Sequence, residues 1–291
     1  MIIAFSSDEK FSSIYRALEK SEFKVGLLVS EPPKPKGRGL MIGKNPAHLF
    51  ATEHSLLTFT PKKLDKIFES RLKKFIQKNN IKLGFVFSFG KIIPKDIIEL
   101  FPAGILNLHP SLLPKYRGPT PIETAILNQD QETGYSIIKI NEKVDGGPII
   151  ACEKIKIKPD DNFETLKEKI INQASENLAK TFKMYLSGKI IPKIQNETQA
   201  SYTKKLEKSD GRITSQDNAK SALAKILAFS NWPKAYFEIE GQKIIIHRAH
   251  LEEKYLIIDE IQMENRQKIK FSDFKNGYPK LLTKFPHFVR I

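Results

Sequence analysis

Short apolar runs alternate with helix-like periodicities over the first two thirds of the chain. Runs typical of strands lie at residues 1–7, 23–31, 81–90, 104–109, 135–141 and 148–158. Segments typical of helices lie between and after them, at residues 9–21, 60–77, 94–101, from about residue 120, and at 163–186. Strands that alternate with helices build parallel sheets through crossover connections. The pattern predicts an α/β domain with an open, mostly parallel twisted sheet.

The pattern changes near Gly188. Residues 189–208 are polar and basic without sustained periodicity, which is typical of a linker. Residues 215–230 predict an amphipathic helix with Ser215 or Asp217 near its N-cap. Three β-rich runs that predict a small β-barrel follow at residues 235–241, 242–250 and 254–262. The predicted organisation is a first domain at 1–188, a basic linker at 189–208 and a C-terminal domain at 209–291.

The composition is that of an ordinary globular protein. Hydrophobic residues make up 40% of the 291 positions and charged residues 28%, unlike a disordered or membrane-spanning chain. No apolar run approaches the ~20 residues that a spanning helix needs. Residues 1–20 lack the basic start and long apolar centre of a signal peptide. Cys152 is the single cysteine, which leaves no internal disulfide and no cysteine-rich metal site. We therefore expect a cytoplasmic protein.

The charge is strongly positive. Lysine and arginine outnumber aspartate and glutamate by 48 to 33, which gives a net charge of +15 and a pI near 9.6. One interpretation is a polyanionic partner such as a nucleic acid. The other is a lysine-rich surface that keeps the protein soluble. The charge alone does not decide between them.

Candidate chemistry lies at the end of the strand predicted at 104–109. Asn107 and His109 are two positions apart, so both side chains lie on one face of a strand. Asp145, before Gly146 and Gly147, is a carboxylate that can reach the same place. Asn and protonated His can stabilise the oxyanion formed when an amine attacks an acyl carbon, by ~3–4 kcal/mol per donor. His can also take the proton of the amine, and a carboxylate orients it. The alternative is structural, with a hydrogen-bonded His and an Asp that forms a turn.

A longer motif surrounds these residues. The sequence Asn-x-His-Pro-Ser-Leu-Leu-Pro at residues 107–114, followed by Lys-Tyr-Arg-Gly and Pro-Thr-Pro-Ile, resembles the signature of the folate-dependent formyltransferases. The Arg117–Gly118 ending and the Pro121–Ile122 pair are similar to the branch of the family that acts on methionyl-tRNA. The resemblance implies a Rossmann-like catalytic domain followed by an OB-like β-barrel. It also implies that the catalytic residues are Asn107, His109 and Asp145.

The resemblance further implies a formyl donor, 10-formyltetrahydrofolate. The sequence shows no metal-binding motif, so we expect no metal. Family members place the reduced folate beside one loop and hold its pterin with the backbone of two other segments. The matching loop residues here are Ser111, Leu112, Leu113 and Pro114. The residues of the two matching segments are Phe87, Ser88, Phe89, Gly90 and Ile92, and Ile140 and Val144.

The basic segment at residues 31–56 resembles the Gly-Arg-Gly-containing loop with which this branch engages the tRNA acceptor arm. Cations that contact phosphates position a nucleic acid without reading its sequence. The candidate tRNA contacts are Lys34, Lys36, Arg38 and Lys44. A solvated surface loop is the alternative. Residues 225–250 resemble the start of the branch's C-terminal barrel, where Trp232 can stack on a base or anchor the core.

Two features depart from the family pattern. The family has a glycine-containing turn after the first strand, whereas this chain has Ser6, Ser7 and Asp8, so the contacts made there are expected to differ. Between His250 and Glu260 the chain moves directly into what resembles the last barrel segment. The barrel is therefore expected to be abridged.

The resemblance implies an enzyme that formylates initiator methionyl-tRNA, as a monomer with no membrane partner. One alternative is a formyltransferase of the same family that acts on an amino-sugar nucleotide. The branch that acts on glycinamide ribonucleotide is disfavoured because it resembles the first domain alone. A further alternative is hydrolysis of formyl-folate, which some relatives catalyse. A non-enzymatic RNA-binding protein would need a broken triad, and the triad of this sequence is intact.

Overall fold

The computed structural model describes residues 1–36 and 41–291, and for Lys36 it describes the backbone alone. The chain divides into two compact units. The first unit contains Met1–Arg117, Gly134–Ile155 and Glu168–Tyr202. The second unit contains Gly118–Thr133, Lys156–Lys167 and Thr203–Ile291. The segment predicted as a linker, 189–208, is divided between the two units after residue 202.

Strands and helices alternate over the described residues up to 186. The strands are β1 (Ile2–Ser6), β2 (Val25–Val29), β3 (Lys34–Lys36), β4 (Met41–Gly43), β5 (Thr58–Phe59), β6 (Gly84–Phe87), β7 (Ile105–His109), β8 (Glu132–Lys139) and β9 (Ile149–Lys156). The helices are α1 (Phe11–Glu19), α2 (Pro46–Glu53), α3 (Lys66–Asn79), α4 (Lys95–Ile98), α5 (Pro121–Leu127) and α6 (Phe163–Leu186).

Seven of these strands form one sheet in the order β5-β2-β1-β6-β7-β8-β9. β1 pairs in parallel with β2 and β6, β2 pairs in parallel with β5, and β6 pairs in parallel with β7. β8 is antiparallel to β7. The predicted α/β class with an open, mostly parallel sheet is confirmed.

Strand alternation gives the sheet two buried faces. Ile3 of β1 and Ile105 of β7 lie on one face, in a core cluster with Leu72 of α3. On the other face Phe85 of β6 meets Phe182 of α6 edge-on, with ring centroids 5.3 Å apart. Each of these side chains contributes about 1.5–3 kcal/mol through burial. Helices on both faces explain why the strands read as nearly continuous apolar runs.

The second unit has its own sheet and core. Its elements after residue 202 are α7 (Ala219–Ala228), β10 (Ala235–Ile239), β11 (Gln242–Glu252), β12 (Tyr255–Met263), β13 (Ile269–Lys270), α8 (Phe271–Gly277), α9 (Pro279–Leu282) and β14 (Val289–Arg290). β10 to β13 pair antiparallel in chain order, and β14 adds to β12 in parallel. Phe237, Ile246 and Phe274 are buried together in its core. The sheet is a small half-barrel, as predicted for the C-terminal region.

Several elements differ from the prediction. The basic segment after β2 contains the β3–β4 hairpin and α2, neither of which the periodicity indicated. α3 begins at Lys66 rather than near Thr60, because Asp65 caps it by accepting from the Phe68 N–H. The cap of α7 is Asn218, one residue after the predicted Asp217. Short strands and the first residue of a helix depend on single side chains. A periodicity is an average over many residues, so it does not detect them.

None of the helices in residues 1–36 and 41–291 combines the length and the apolar character that a membrane-crossing helix needs.

Candidate active site

Strand β7 carries two of the predicted catalytic residues. Ile105 is buried in the core on the α3 side of the sheet, and alternation places Asn107 and His109 on the same side. Leu106 and Leu108 point the other way and are 0% and 2% exposed. One face of a single strand therefore changes from apolar to polar within three residues.

The turn between β8 and β9 brings a carboxylate to this face. Because β8 is antiparallel to β7, the turn begins level with the start of β7, where the Ile140 N–H donates to the Ile105 carbonyl at 2.9 Å. Asp145 has a φ of 47°, in the left-handed region that Asp tolerates better than most residues. A Cβ at Gly147 would lie 1.8 Å from the Lys139 carbonyl oxygen. The path of the turn therefore requires glycine at position 147.

The three predicted catalytic side chains meet here. Nδ2 of Asn107 donates to Oδ1 of Asp145 at 3.3 Å. Nδ1 of His109 lies 3.5 Å from Oδ2 of the same carboxylate, and the side chains of His109 and Asp145 are 5% and 15% exposed. Salt screens a partly buried pair much less than an exposed one. The carboxylate thus joins the amide and the imidazole in one sheltered cluster.

A hydrogen bond on the far side of His109 fixes its tautomer. Nε2 lies 2.8 Å from the backbone oxygen of Tyr116. A carbonyl oxygen can only accept, so Nε2 carries a proton and donates it to this bond. In the neutral ring Nδ1 is then the nitrogen without a proton, and Nδ1 is the atom beside Asp145. Proton exchange at His109 is therefore directed to Nδ1.

Ser136 of β8 fixes the loop that follows β7. Its Oγ accepts from the Leu113 N–H at 3.0 Å and donates to the Ser111 carbonyl at 2.8 Å. Oγ of Ser111 donates to the Lys115 carbonyl at 2.6 Å. Both serines are 0% exposed. The side chain of Ser111, predicted to lie beside folate, thus shapes the loop from inside.

Arg117, at the end of the motif, is a buried cation. Its side chain is 0% exposed. The guanidinium donates to Gln195, to Glu197 and to the hydroxyl of Tyr202 at distances between 2.9 and 3.2 Å. The hydrogen bonds from Arg117 hold the pKa of the Glu197 carboxyl below its usual range. Arg117 therefore ties the motif to the segment after α6.

The other residues predicted to contact folate lie in three places. Phe87 and Phe89 are buried at the end of β6, while Ser88 between them and Gly90 after them have left-handed φ values of 48° and 75°. Ile92 is 86% exposed. In the loop after β7, Leu113 is buried, and Leu112 and Pro114 are half-buried. In the turn after β8, Val144 is 58% exposed and Ile140 packs against the core.

A cavity of about 370 Å³ lies beside this turn. Its lining residues are Lys95, Ile98, Glu99, Ile140, Asn141, Glu142 and Lys143. Of the residues predicted for the pterin, Ile140 lines the cavity, whereas Asn107, His109 and Asp145 do not. The cavity and the polar cluster are therefore separate features of the same unit.

Two of the predicted tRNA contacts belong to the β3–β4 hairpin after β2, and a third, Lys44, follows it. Lys34 and Lys36 lie in β3, which pairs with β4. Nζ of Lys34 is 2.8 Å from a carboxylate oxygen of Glu31, and the Lys34 side chain is 57% exposed. Nζ of Lys44 donates to a threonine hydroxyl of α2 at 3.0 Å. Arg38 lies outside the described residues.

The serine turn after β1, which departs from the family pattern, joins three strand ends. The Ser7 N–H donates to the Ser88 carbonyl at 3.0 Å after β6. Oγ of Ser7 accepts from the Glu31 N–H at 3.1 Å after β2. The hydroxyl at this position therefore makes a contact that glycine cannot make.

Sequence reasoning did not single out some residues that hold the site. The Tyr116 carbonyl orients His109, and Gln195 donates to the backbone oxygens of Asp145 and Gly147. Ser136 was detectable as an isolated polar residue in an apolar strand pattern. Gln195 lies in a polar stretch without periodicity, so no local signal distinguished it.

Within residues 1–36 and 41–291, no group of three or more His, Cys, Asp or Glu side chains is placed to hold a metal ion.

Two family models match the chain. The model described as formyl transferase matches residues 1–182. The model described as formyl transferase, C-terminal domain, matches residues 205–255. Together the two matches cover most of the chain.

Curated relatives and a solved structure agree with these matches. Methionyl-tRNA formyltransferase of Buchnera aphidicola subsp. Schizaphis graminum is 38% identical over 86% of this chain and 79% of its own length. Methionyl-tRNA formyltransferase of Dictyoglomus thermophilum is 33% identical over 95% of this chain and 96% of its own length. The structure of methionyl-tRNA formyltransferase from Clostridium thermocellum shares the fold, with a TM-score of 0.61 at 17% identity over 90% of this chain and 97% of that chain.

Proposed function

The chain belongs to the formyl transferase family, and from that premise we propose that it transfers a formyl group from 10-formyltetrahydrofolate to the amino group of initiator methionyl-tRNA. The family expected from the motif at residues 107–114 is thereby confirmed. The relatives that match nearly the whole chain support the acceptor. The convergence of Asn107, His109 and Asp145 on one sheltered cluster is the observation that carries the chemistry.

Asn107 is suited to stabilise negative charge. An amide nitrogen carries two N–H groups, so Asn107 can donate one to Asp145 and the other to an oxygen that becomes negative as the amine attacks. The folate donor supplies the formyl carbon at which this attack occurs. A preorganised donor of this kind lowers a barrier by ~3–4 kcal/mol. Asp145 fixes the orientation of the amide before the reaction starts.

His109 is suited to move the proton. The attacking amine must lose a proton, and Nδ1 of His109 can accept it because Nε2 is held by the Tyr116 carbonyl. Asp145 lies 3.5 Å from Nδ1 and stabilises the imidazolium that results. His109 can then return the proton to the nitrogen that departs. In this mechanism the three residues act without a covalent enzyme intermediate.

Exposed apolar side chains in the segments predicted to hold the pterin support that assignment. Ile92 and Val144 are 86% and 58% exposed. Binding sites for flat heteroaromatic rings combine apolar walls with a few polar groups. We therefore assign the pterin to the segments 87–92 and 140–144 and the rest of the donor to the loop at 111–114.

The positive charge supports a nucleic-acid acceptor. The net charge is +15, the hairpin after β2 carries Lys34 and Lys36, and Lys44 follows it, with Arg38 in the same segment of the sequence. We assign catalysis to residues 1–188, tRNA binding to residues 209–291 and the hairpin, and a connecting role to residues 189–208. We further expect a monomeric cytoplasmic enzyme that works without a metal ion.

A panel of acceptors tests the proposal. The protein is incubated with 10-formyltetrahydrofolate and either methionyl-tRNA or an amino-sugar nucleotide, and the formylated product is measured. We expect formylation of methionyl-tRNA alone. Formylation of the sugar nucleotide but not of methionyl-tRNA would show that the acceptor is a sugar nucleotide. Release of formate without any formylated amine would indicate a hydrolase.

A further inference from the structure

Gln195 binds the back of the turn that carries Asp145. Nε2 of Gln195 donates to the backbone oxygens of Asp145 and Gly147, both at 2.7 Å. These two carbonyls flank Gly146, so the pair of bonds spans the turn where it bends. A left-handed φ at a residue other than glycine persists only where the surroundings hold it, and Asp145 has such a φ. Gln195 is placed to supply that support.

Arg117 determines which way the Gln195 amide points. The guanidinium donates to Oε1 of Gln195 from Nε at 3.1 Å and from Nη2 at 2.9 Å. Since guanidinium groups only donate, the amide oxygen must face Arg117 and the amide nitrogen must face the turn. Arg117 and Gln195 are 0% and 5% exposed. Water therefore has little access to compete for these bonds.

The same segment also holds the group that orients His109. Oγ of Ser201 accepts from the Tyr116 N–H at 2.9 Å, and the Ser201 carbonyl accepts from the Arg117 N–H at 2.8 Å. The carbonyl of Tyr116 is the acceptor for Nε2 of His109. Residues 195–201 therefore support the cluster from two sides, behind the Asp145 turn and behind the His109 ring.

We propose that Arg117 and Gln195 are positioning residues that set the Asp145 carboxylate against Asn107 and His109, and that they act on the reaction only through Asp145. The proposal rests on the proposed function, because it assigns the rate of formyl transfer to the placement of that carboxylate. The proposal gives a role to Arg117 of the sequence motif, whose hydrogen bonds described above go to neither Asn107 nor His109. Gln195 lies in the segment predicted as a linker, residues 189–208, so the proposal assigns part of that segment to the catalytic unit.

Two substitutions of Gln195 separate its two bonding partners. Gln195→Met has a similar volume and removes every hydrogen bond of the amide. Gln195→Glu keeps an acceptor for Arg117 but directs a carboxylate oxygen at the two carbonyls of the turn. We expect both variants to lose about 10–100-fold in kcat, because a displacement of about 1 Å at a reacting group costs up to about that much. KM for methionyl-tRNA and for the folate should change by less than about twofold. Ile194→Ala, at a neighbouring position that is 84% exposed, is the control and should keep the wild-type kcat.

A double-mutant cycle distinguishes positioning from general structural support. In an Asp145→Ala background, Gln195→Met and Gln195→Glu should cause no further loss of kcat, because the group that they position is already absent. An equal loss in both backgrounds would show that Gln195 acts by another route and would overturn the proposal. If Gln195→Met does not fold, which its thermal unfolding would reveal, Gln195→Glu alone completes the cycle.

A structural readout keeps this test independent of the acceptor. In a crystal structure of Gln195→Glu, the distance between Oδ2 of Asp145 and Nδ1 of His109 should exceed the 3.5 Å of the wild-type chain. An unmoved turn would contradict the proposal whether or not the enzyme is active. Wild-type protein that formylates no amine would refute the proposed function instead, and the crystal structure would still decide the role of Gln195.

Discussion

The cluster of Asn107, His109 and Asp145 and the basic hairpin of β3 and β4 differ in their exposure to solvent. The side chain of His109 is 5% exposed, with a hydrogen bond from Nε2 to the Tyr116 carbonyl and the Asp145 carboxylate 3.5 Å from Nδ1. In the hairpin, Met41 and Ile42 are 79% and 77% exposed, and the side chain of Lys34 is 57% exposed. The described side chains of one region are mostly buried, and those of the other are mostly exposed to solvent.

The difference agrees with the roles that we propose for the two regions. Proton transfer and oxyanion stabilisation require atoms placed to within about 0.5 Å, so their supports must be buried and fully bonded. Attraction between lysines and phosphates acts over about 10 Å at 0.1 M salt and needs no fixed geometry. Substitutions in the cluster should therefore change the rate, and substitutions in the hairpin should change affinity and its dependence on salt.

The largest effect is expected for His109→Ala. Removing the proton acceptor should lower kcat by about 10³-fold, within the range of general acid–base catalysis. The dissociation constant for methionyl-tRNA, measured by filter binding, should stay near the wild-type value. A His109→Ala variant that lost affinity for tRNA and kept the wild-type kcat would contradict the assignment of catalysis to the cluster and of tRNA binding to the hairpin.

Asn107→Ala should have the next largest effect. Loss of one oxyanion donor lowers kcat by about 10²-fold to 10³-fold, and the alanine also leaves Asp145 without its amide partner. Asn276→Ala, at an exposed position of α8, is the matched control and should keep the wild-type kcat. Equal kinetics for the two variants would remove Asn107 from the mechanism.

The hairpin should respond in the opposite way. Replacing Lys34 and Lys44 together by Ala should weaken tRNA binding and reduce the slope of log affinity against log salt by about 0.7–0.9 for each phosphate that is no longer neutralised. The kcat at saturating tRNA should not change. The control replaces Lys20 and Lys24, which lie before the amino end of β2, and removes the same charge. If both pairs lower the slope equally, net charge rather than the hairpin determines binding.

Glu123 in α5 should affect stability without affecting either region. Burial raises the pKa of Glu123 from 4.5 to about 7. The folded state therefore prefers the protonated acid, so this group's contribution is complete below pH 4.5 and is lost as the pH rises through about 7. Glu123→Gln should have the same Tm as the wild type at pH 4 and a higher Tm at pH 8, where its free energy of unfolding should be larger by about 3 kcal/mol. A Tm difference that does not change with pH would show that the acid is not titrating in this range.

The sequence was sufficient for the parts of the site that follow from strand geometry. The spacing of Asn107 and His109 predicted a shared face, and the two glycines after Asp145 marked a turn that could reach it. The catalytic assignment itself came from the motif at residues 107–114, because spacing alone favoured a structural role. The alternation of apolar runs and helices was enough for the α/β sheet.

The remaining parts depend on contacts that are distant in sequence. Gln195 follows Asp145 by 50 residues, and no local pattern relates the two. The antiparallel direction of β8, which makes the turn start level with Ile105, is a property of strand pairing rather than of the strand itself. The Asn45–Pro46 pair did carry a signal for α2, since Asn is a common N-cap and Pro is favoured at the first helical position.

The most direct test is the single-turnover rate of formyl transfer by Asp145→Asn, measured with saturating 10-formyltetrahydrofolate and methionyl-tRNA. The substitution keeps the shape of the side chain and removes the charge that lies 3.5 Å from Nδ1 of His109. We predict a rate at least about 10²-fold below that of the wild type, with unchanged affinity for tRNA. An Asp145→Asn enzyme that formylates methionyl-tRNA at the wild-type rate would contradict the assignment of catalysis to this cluster.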